Sequence, residues 1–241
     1  MPYRFATDDR SYADLGSGRV LRSRPGQPAF PVRLAREMFE QALALRPTGA
    51  PPPILYDPCC GAGHLLASVG LLYADRLTAV IGSDVDAEAL AMAGGNLRLL
   101  EAGGLTTRAE ELATLFARHG NPAHREALDS ARALAAAQAN PLAARVFQAD
   151  ARDPSALRRG LGTDAPAVIL TDVPYGRMSS WRDASPEQGM GALLDTLGKV
   201  LDAGAVVAIA TDDVKVAPAH FRRQRQLKLG KRRVTWLVRA A

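Results

Sequence analysis

Ile54-Leu55-Tyr56-Asp57-Pro58-Cys59-Cys60-Gly61-Ala62-Gly63 decides the fold. Three apolar residues run into a turn with two glycines one residue apart, and residues 63–72 have helical composition. A short buried strand that enters a glycine turn and opens a helix is the first unit of a parallel α/β sheet, where bare backbone lets a ligand approach closely. Outward from this unit the alternation continues. Further strands are expected at 77–81, 145–148, 167–170 and 205–210, the last two apolar throughout, as in strands covered on both faces. Helices are expected at 86–100 and roughly 187–201. Ahead of them, Pro31 opens an amphipathic helix with Val32, Leu34, Ala35, Met38, Phe39, Ala42 and Leu45 as its stripe. Residues 225–229 and 234–239 read as two strands turning at Gly230-Lys231. This pattern specifies an α/β three-layer sandwich around a mostly parallel sheet, closed by a C-terminal antiparallel hairpin. Residues 101–141, alanine-rich and broken at Gly103-Gly104 and at His119-Gly120-Asn121-Pro122, read as a two-helix insertion. Residues 1–30 read as a basic arm with little regular structure. The 241 residues suit one domain with an insertion.

With 47% hydrophobic and 23% charged residues, the chain has the balance of a soluble protein with a buried core. No apolar run approaches the roughly 18 residues of a membrane span. Met1-Pro2-Tyr3-Arg4 holds no apolar signal core, so a cytoplasmic location is expected. The only cysteines, Cys59 and Cys60, are adjacent, which excludes a disulfide scaffold and leaves no zinc set, so no metal is expected. Lys and Arg number 30 against 25 Asp and Glu, a formal net charge of +5. Placement matters more than the total. Seven arginines face three aspartates up to Arg36, and eight Lys/Arg with no acid follow from His220 onward. Half the basic residues thus sit in the two ends, which points to a polyanion partner.

The glycine turn contains an acid, Asp57, and Leu66 stands where a dinucleotide fingerprint has its third glycine. A pyrophosphate would be repelled there, whereas a cationic or zwitterionic ligand fits. S-adenosylmethionine carries an amino group and a sulfonium and needs no phosphate cradle. Asp84 ends the second strand about twenty residues past the glycines, placed for both ribose hydroxyls, with Val85 beside it. Asp150, followed by Ala151, ends the third strand and is able to accept from an adenine amino group. Cofactor candidates are therefore Asp57, Cys59, Gly61, Gly63, Asp84, Val85, Asp150 and Ala151. His64 joins them, either touching the cofactor or capping the first helix of the sheet.

Asp57-Pro58-Cys59-Cys60-Gly61-Ala62-Gly63 resembles the D-P-x-C-G-x-G motif of adenosylmethionine-dependent amino-methyltransferases, and Asp172-Val173-Pro174-Tyr175 resembles their D/N-P-P-Y/F motif. The chain as a whole, with its Arg-rich start and two-helix insertion, resembles the avilamycin-resistance ribosomal RNA methyltransferase family. The resemblance implies a seven-stranded Rossmann-like methyltransferase sheet and methyl transfer to a guanine of large-subunit ribosomal RNA near the peptidyl-transferase region. It also implies resistance to an orthosomycin-type antibiotic. Val173 departs from the motif's first proline, which bears on loop rigidity, since the backbone carbonyl is retained. Asp172 and the Val173 carbonyl would accept hydrogen bonds from the target amine. Pro174 would stiffen the loop, and Tyr175 would stack on a flipped base, worth roughly 1–3 kcal/mol. The exocyclic amine is the first choice of acceptor and the adjoining ring nitrogen the second. Phe30 resembles the residue covering the cofactor edge in amino-methyltransferases, with core packing as the alternative. RNA contacts are expected from Arg4, Arg10, Arg19, Arg22 and Arg24 in the arm, from Trp181 after the motif, and from Arg222, Arg223 and Arg225, in a monomer. Trp236 is expected in the core, and His119 and His124 on the solvated surface. Two rivals stand: a methyltransferase of protein glutamine or small amines, and a silent RNA-binding module. The retained acids speak against the second.

Overall fold

Short polar side chains start several of the helices. Asp86 accepts from the amides of Glu88 and Ala89, Asn121 from Ala123, and Asp153 from Ser155 and Ala156, while Ser185 and Gln188 form a capping box. The computed structural model describes residues 3–16, 18–23, 29–173, 181, 183–212 and 219–241. In chain order the elements are α1 (Val32–Ala44), β1 (Ile54–Asp57), α2 (His64–Leu72), β2 (Ala79–Asp84), α3 (Ala87–Leu97), α4 (Gly104–His119) and α5 (Pro122–Ala137). They continue with β3 (Ala143–Gln148), α6 (Pro154–Leu161), β4 (Val168–Asp172), α7 (Pro186–Val200), β5 (Val206–Asp212), β6 (Phe221–Leu229) and β7 (Arg232–Arg239).

The seven strands form one sheet in the order β3-β2-β1-β4-β5-β7-β6. β1 to β5 pair in parallel, and β7 runs antiparallel between β5 and β6. The mostly parallel sheet, the terminal hairpin and the inserted pair α4–α5 all agree with the sequence reading. Three details differ. β2 starts at Ala79 and continues through the polar Ser83 to Asp84, because Ser83 is buried and bonded to Tyr56 (Oγ to Oη, 2.7 Å). α3 stops at Leu97 and ends in a 3-10 turn, Arg98–Leu100. α6, absent from the sequence reading, begins at the Asp153 cap with Pro154 in its first turn.

Alternate strand residues face two cores. Leu55, Val80, Val168, Val206, Ala208 and Trp236 lie with α1, α2, α3 and the insertion. Tyr56, Ile81, Ile169, Val207, Ile209 and Leu237 lie with α6 and α7. Trp236 is fully buried, as expected, and its indole N–H donates to Met38 O at 3.1 Å, tying β7 to α1. Among its described residues the arm has a 3-10 turn, Ala13–Leu15, and a single bridge at Leu21, and it is docked, with Ala6, Leu15, Val20 and Leu21 buried. Its start is held by Glu37, wholly buried on α1, whose carboxylate accepts from the amides of Arg4, Phe5 and Ala6 at 2.8 Å each. Burial pushes that carboxyl up, but the three amides and Gln41 outweigh it, and the net shift is downward. Among the described residues, no helix is long and apolar enough to cross a membrane.

Candidate active site

β2, β1 and β4 lie side by side and each ends in an acid at the carboxyl edge of the sheet, where open α/β sheets bind ligands: Asp84, Asp57 and Asp172. Asp57 is 2% exposed and accepts from the Cys59 amide at 3.0 Å. Burial, with the charges of Asp84 and Asp172 added, pushes its carboxyl up to about 8. Burial and then the charges of Asp57 and Asp84 push the thiols of Cys59 and Cys60 up, so neither is a thiolate nucleophile near neutral pH. Burial and neighbouring acids thus act together on Asp57, Cys59 and Cys60.

The backbone holds this surplus open to a ligand. Asp84 accepts from Gly61 N at 2.8 Å and Asp86 N at 3.0 Å, fastening the glycine turn to the end of β2. Gly61 and Gly63 have φ of 51° and 76°, left-handed values that favour glycine, and a Cβ on Gly61 would point into open space. Val85, 36% exposed, is the one exposed large hydrophobic among the described residues and puts an apolar surface just beyond Asp84. Ala151 is buried. Asp150 is gripped by Arg152 (Nη2 at 2.7 Å, Nε at 3.0 Å), and that guanidinium also lies 6.0 Å from the Trp181 ring centre. Each Asp84 oxygen accepts one of the Gly61 and Asp86 amides and keeps a second lone pair, so Asp84 can still accept from a ligand. Acidic, glycine-floored and apolar at one side, the crevice fits a cationic adenosyl ligand.

Several expected residues have partners within the fold. The His64 side chain makes no capping hydrogen bond on α2. Its Nε2 lies 2.8 Å from the Arg22 carbonyl, and burial lowers its pKa. Phe30 is buried in the core, and Arg232 lies 5.2 Å over its ring and 4.0 Å from Asp172 Oδ2. Val173, buried, donates its amide to Ala210 O at 3.3 Å, so β5 holds the motif backbone at that position. Pro174, Tyr175 and Arg24 lie outside the described residues.

The expected RNA contacts divide. Arg4 and Arg10 are exposed beside Phe5 and Tyr12. Arg19 pairs with Glu126 at 2.9 Å, and Arg22 with Glu111 at 2.6 Å and Gly95 O at 2.8 Å. These two fasten the arm to α3, α4 and α5. Trp181 lies against Gly189 of α7, where a Cβ would collide with the indole at 2.2 Å. On β6, Arg222 and Arg223 are exposed and Arg225 half-buried, with no side-chain partner among the described residues. The register puts Arg222 opposite Val238, which pairs with Val206 at the start of β5, so Arg222 and Arg223 stand at the sheet edge remote from the crevice. The crevice end of the hairpin instead carries Lys228, Lys231, Arg232 and Arg233, which the sequence reading passed over. Their signal was the acid-free tail; strand direction was the missing information.

This strand order, with a reversed seventh strand and an acid-ringed glycine turn, defines a Rossmann-like methyltransferase. The model of the rRNA methyltransferase AviRa family matches residues 1–232, and the chain belongs to that family. It is 43% identical over 242 residues to the 23S rRNA (guanine(2535)-N(1))-methyltransferase of Streptomyces viridochromogenes, covering 99% of this chain and 96% of that one. Two solved structures of rRNA methyltransferase AviRa from the same organism match with a TM-score of 0.89. Their identities are 42% and 43%, over 98% and 99% of this chain and 96% of each of theirs. TrmN from Thermus thermophilus, 19% identical with a TM-score of 0.54 over 87% of this chain and 49% of its own, shares the fold.

Proposed function

We propose that this protein transfers a methyl group from S-adenosylmethionine to ring nitrogen N1 of a guanine in 23S ribosomal RNA. It acts as a cytoplasmic, single-domain monomer, and the modification confers resistance to avilamycin-type antibiotics. The observation that carries the reading is the meeting of Asp57, Asp84 and Asp172 at three neighbouring strand ends, where burial, with the charges of the other two acids added, holds Asp57 at about 8. The nucleic-acid half is supported by the full-length similarity to a guanine N1-methyltransferase and by the basic hairpin end beside the crevice. That similarity favours the ring nitrogen over the exocyclic amine that sequence reasoning ranked first. The 43% identical relative is named for a guanine of rRNA, which weighs against a protein-glutamine or small-amine substrate.

In this reading the Gly61–Gly63 turn and Asp57 hold the charged end of the cofactor, and Asp84 takes the ribose hydroxyls. Val85 and Ala151 flank the adenine, and Asp150, steadied by Arg152, accepts from its amino group. When bound, S-adenosylmethionine supplies a methyl on a cationic sulfonium whose leaving group is a neutral thioether. The protein's task is mainly to hold the nucleophile in line at contact distance. Guanine N1 carries a proton, so bonding there requires its loss. Asp172, half-buried at the end of β4, is the group that accepts it, and the Val173 carbonyl orients the neighbouring amino group. Pro174 and Tyr175 complete the base-holding loop, with Tyr175 as the stacking surface.

Two variants separate binding from chemistry. Asp84→Ala should weaken S-adenosylmethionine binding by roughly 1.5–3 kcal/mol in calorimetry, the range of hydrogen bonds to a charged group. Asp172→Ala should bind it nearly as wild type while turnover falls on the order of 10²-fold or more. Full turnover in Asp172→Ala would remove the assigned base.

A further inference from the structure

Asn96, the penultimate residue of α3, is wholly buried. Its Oδ1 accepts from the Arg22 amide at 2.7 Å, and its Nδ2 donates to the Arg22 carbonyl at 2.9 Å and to the Ala62 carbonyl at 2.8 Å. One side-chain amide thus satisfies both backbone groups of an arm residue and a carbonyl of the glycine turn. Leucine offers none of these bonds, and aspartate, when ionised, offers only the acceptor. His64, the residue after the turn, adds a second contact to the same Arg22 carbonyl at 2.8 Å. The Arg22 guanidinium then reaches Gly95 O and Glu111, and Arg108 of α4 donates to Val20 O at 3.0 Å. On its other side the turn is fixed by the bond from Gly61 N to Asp84. The cofactor turn is therefore held between a strand-end acid and a buried amide whose other bonds go to the arm.

We propose that Asn96 is a positioning residue for methyl transfer, making the setting of Gly61-Ala62-Gly63 depend on the docked arm, so that cofactor binding and arm docking strengthen each other. The inference rests on the cofactor site proposed above. The coupling is reciprocal: whatever factor arm docking adds to cofactor affinity, the cofactor adds to arm docking. The arm also carries the exposed Arg4 and Arg10, so a loaded cofactor site presets one side of the RNA-facing surface.

The test uses the full-length protein with S-adenosylhomocysteine and S-adenosylmethionine as probes. In wild type, S-adenosylhomocysteine should slow amide hydrogen exchange of residues 18–23 severalfold. Asn96→Ala should raise the S-adenosylmethionine Kd roughly tenfold, within the usual range of site coupling, and erase the exchange response. A residue with only a structural role would lower the melting temperature while leaving both readouts unchanged in the folded protein. Glu111→Gln, which loosens the arm from the insertion side, should raise the same Kd severalfold and stands in if Asn96→Ala does not fold. Wild-type exchange at residues 18–23 that ignores a bound cofactor, or a folded Asn96→Ala with wild-type Kd, would overturn the inference. If wild type binds no S-adenosylmethionine at all, the cofactor site itself falls, an outcome distinct from binding without coupling.

Discussion

The two basic ends of the chain carry similar numbers of cations and use them differently. Among the six described arginines up to Arg36, four are bonded inside the protein. Arg19 and Arg22 pair with α5 and α4, Arg33 donates to the carbonyls of Ala6 and Asp8, and Arg36 reaches Asp8, Tyr12 and Tyr73. The C-terminal hairpin has no acid of its own, and Arg222, Arg223, Arg225, Lys228 and Lys231 have no side-chain partner among the described residues. The arm uses cations to build a wall of the fold; the hairpin presents them outward, where they also discourage pairing with another sheet edge. A count of basic residues measures charge, while the carboxylates that fold up against them decide its role.

The largest effect should come from breaking the arm's attachment. Glu37→Gln turns an amide N–H toward backbone donors and should cost roughly 2–3 kcal/mol in denaturant unfolding. Because the Glu37 carboxyl is held below its ordinary 4.5 in the fold, its contribution is present above that value and lost as pH falls through the folded one. Glu37→Gln should therefore flatten the acid limb of the stability profile below about pH 4.5. Next comes the hairpin. Replacing Lys228 and Lys231 with Ala should make log K for RNA against log salt shallower by roughly 1.4–1.8, two phosphate contacts' worth, with cofactor affinity unchanged. Arg222 and Arg223, about 20 Å further along β6, should matter less. Removing Arg19 and Arg22 should leave the slope intact and lower stability by about 1 kcal/mol. A slope that drops with Arg19 and Arg22 and not with the lysines would reverse the comparison.

A further effect concerns the crevice that both regions flank. Asp57 keeps its proton up to about 8 in the fold, while the unfolded chain loses it near 3.8. Asp57 therefore destabilises the ligand-free protein progressively as pH rises across that window. A cationic cofactor prefers the ionised form, so its binding should release a proton below pH 8 and tighten by roughly one to two orders of magnitude from pH 6 to 8. Asp57→Asn should abolish both. Calorimetry in two buffers of different ionisation enthalpy reads the proton directly, and no release in wild type would remove the charge argument.

What the sequence disclosed and what it hid follow one physical division. The glycine turn, the apolar strand runs and the break between α4 and α5 at Gly120-Asn121-Pro122 are local signals, and they placed the sheet and its acids. α6 was equally local and was overlooked at Asp153-Pro154. Glu37 and Asn96 were not legible, because their partners lie 31 to 33 and 34 to 74 residues away and nothing nearby marks them. Arg152 stands two residues from the acid it grips, yet only the path of the chain after β3 turns it there. The placement of β7 between β5 and β6 decided which end of the basic strand meets the crevice, and strand pairing of that kind is set by the assembled sheet.

The central claim is methyl transfer to guanine N1. Wild-type protein, S-adenosylmethionine with a labelled methyl group and 23S ribosomal RNA, followed by nucleoside mass spectrometry and primer extension, tests it most directly. The account predicts labelled 1-methylguanosine at a single site, with a matching stop to extension because N1 lies on the pairing edge, and none with Asp172→Ala. Labelled 2-methylguanosine, or RNA left unlabelled by a protein that binds the cofactor, would contradict it.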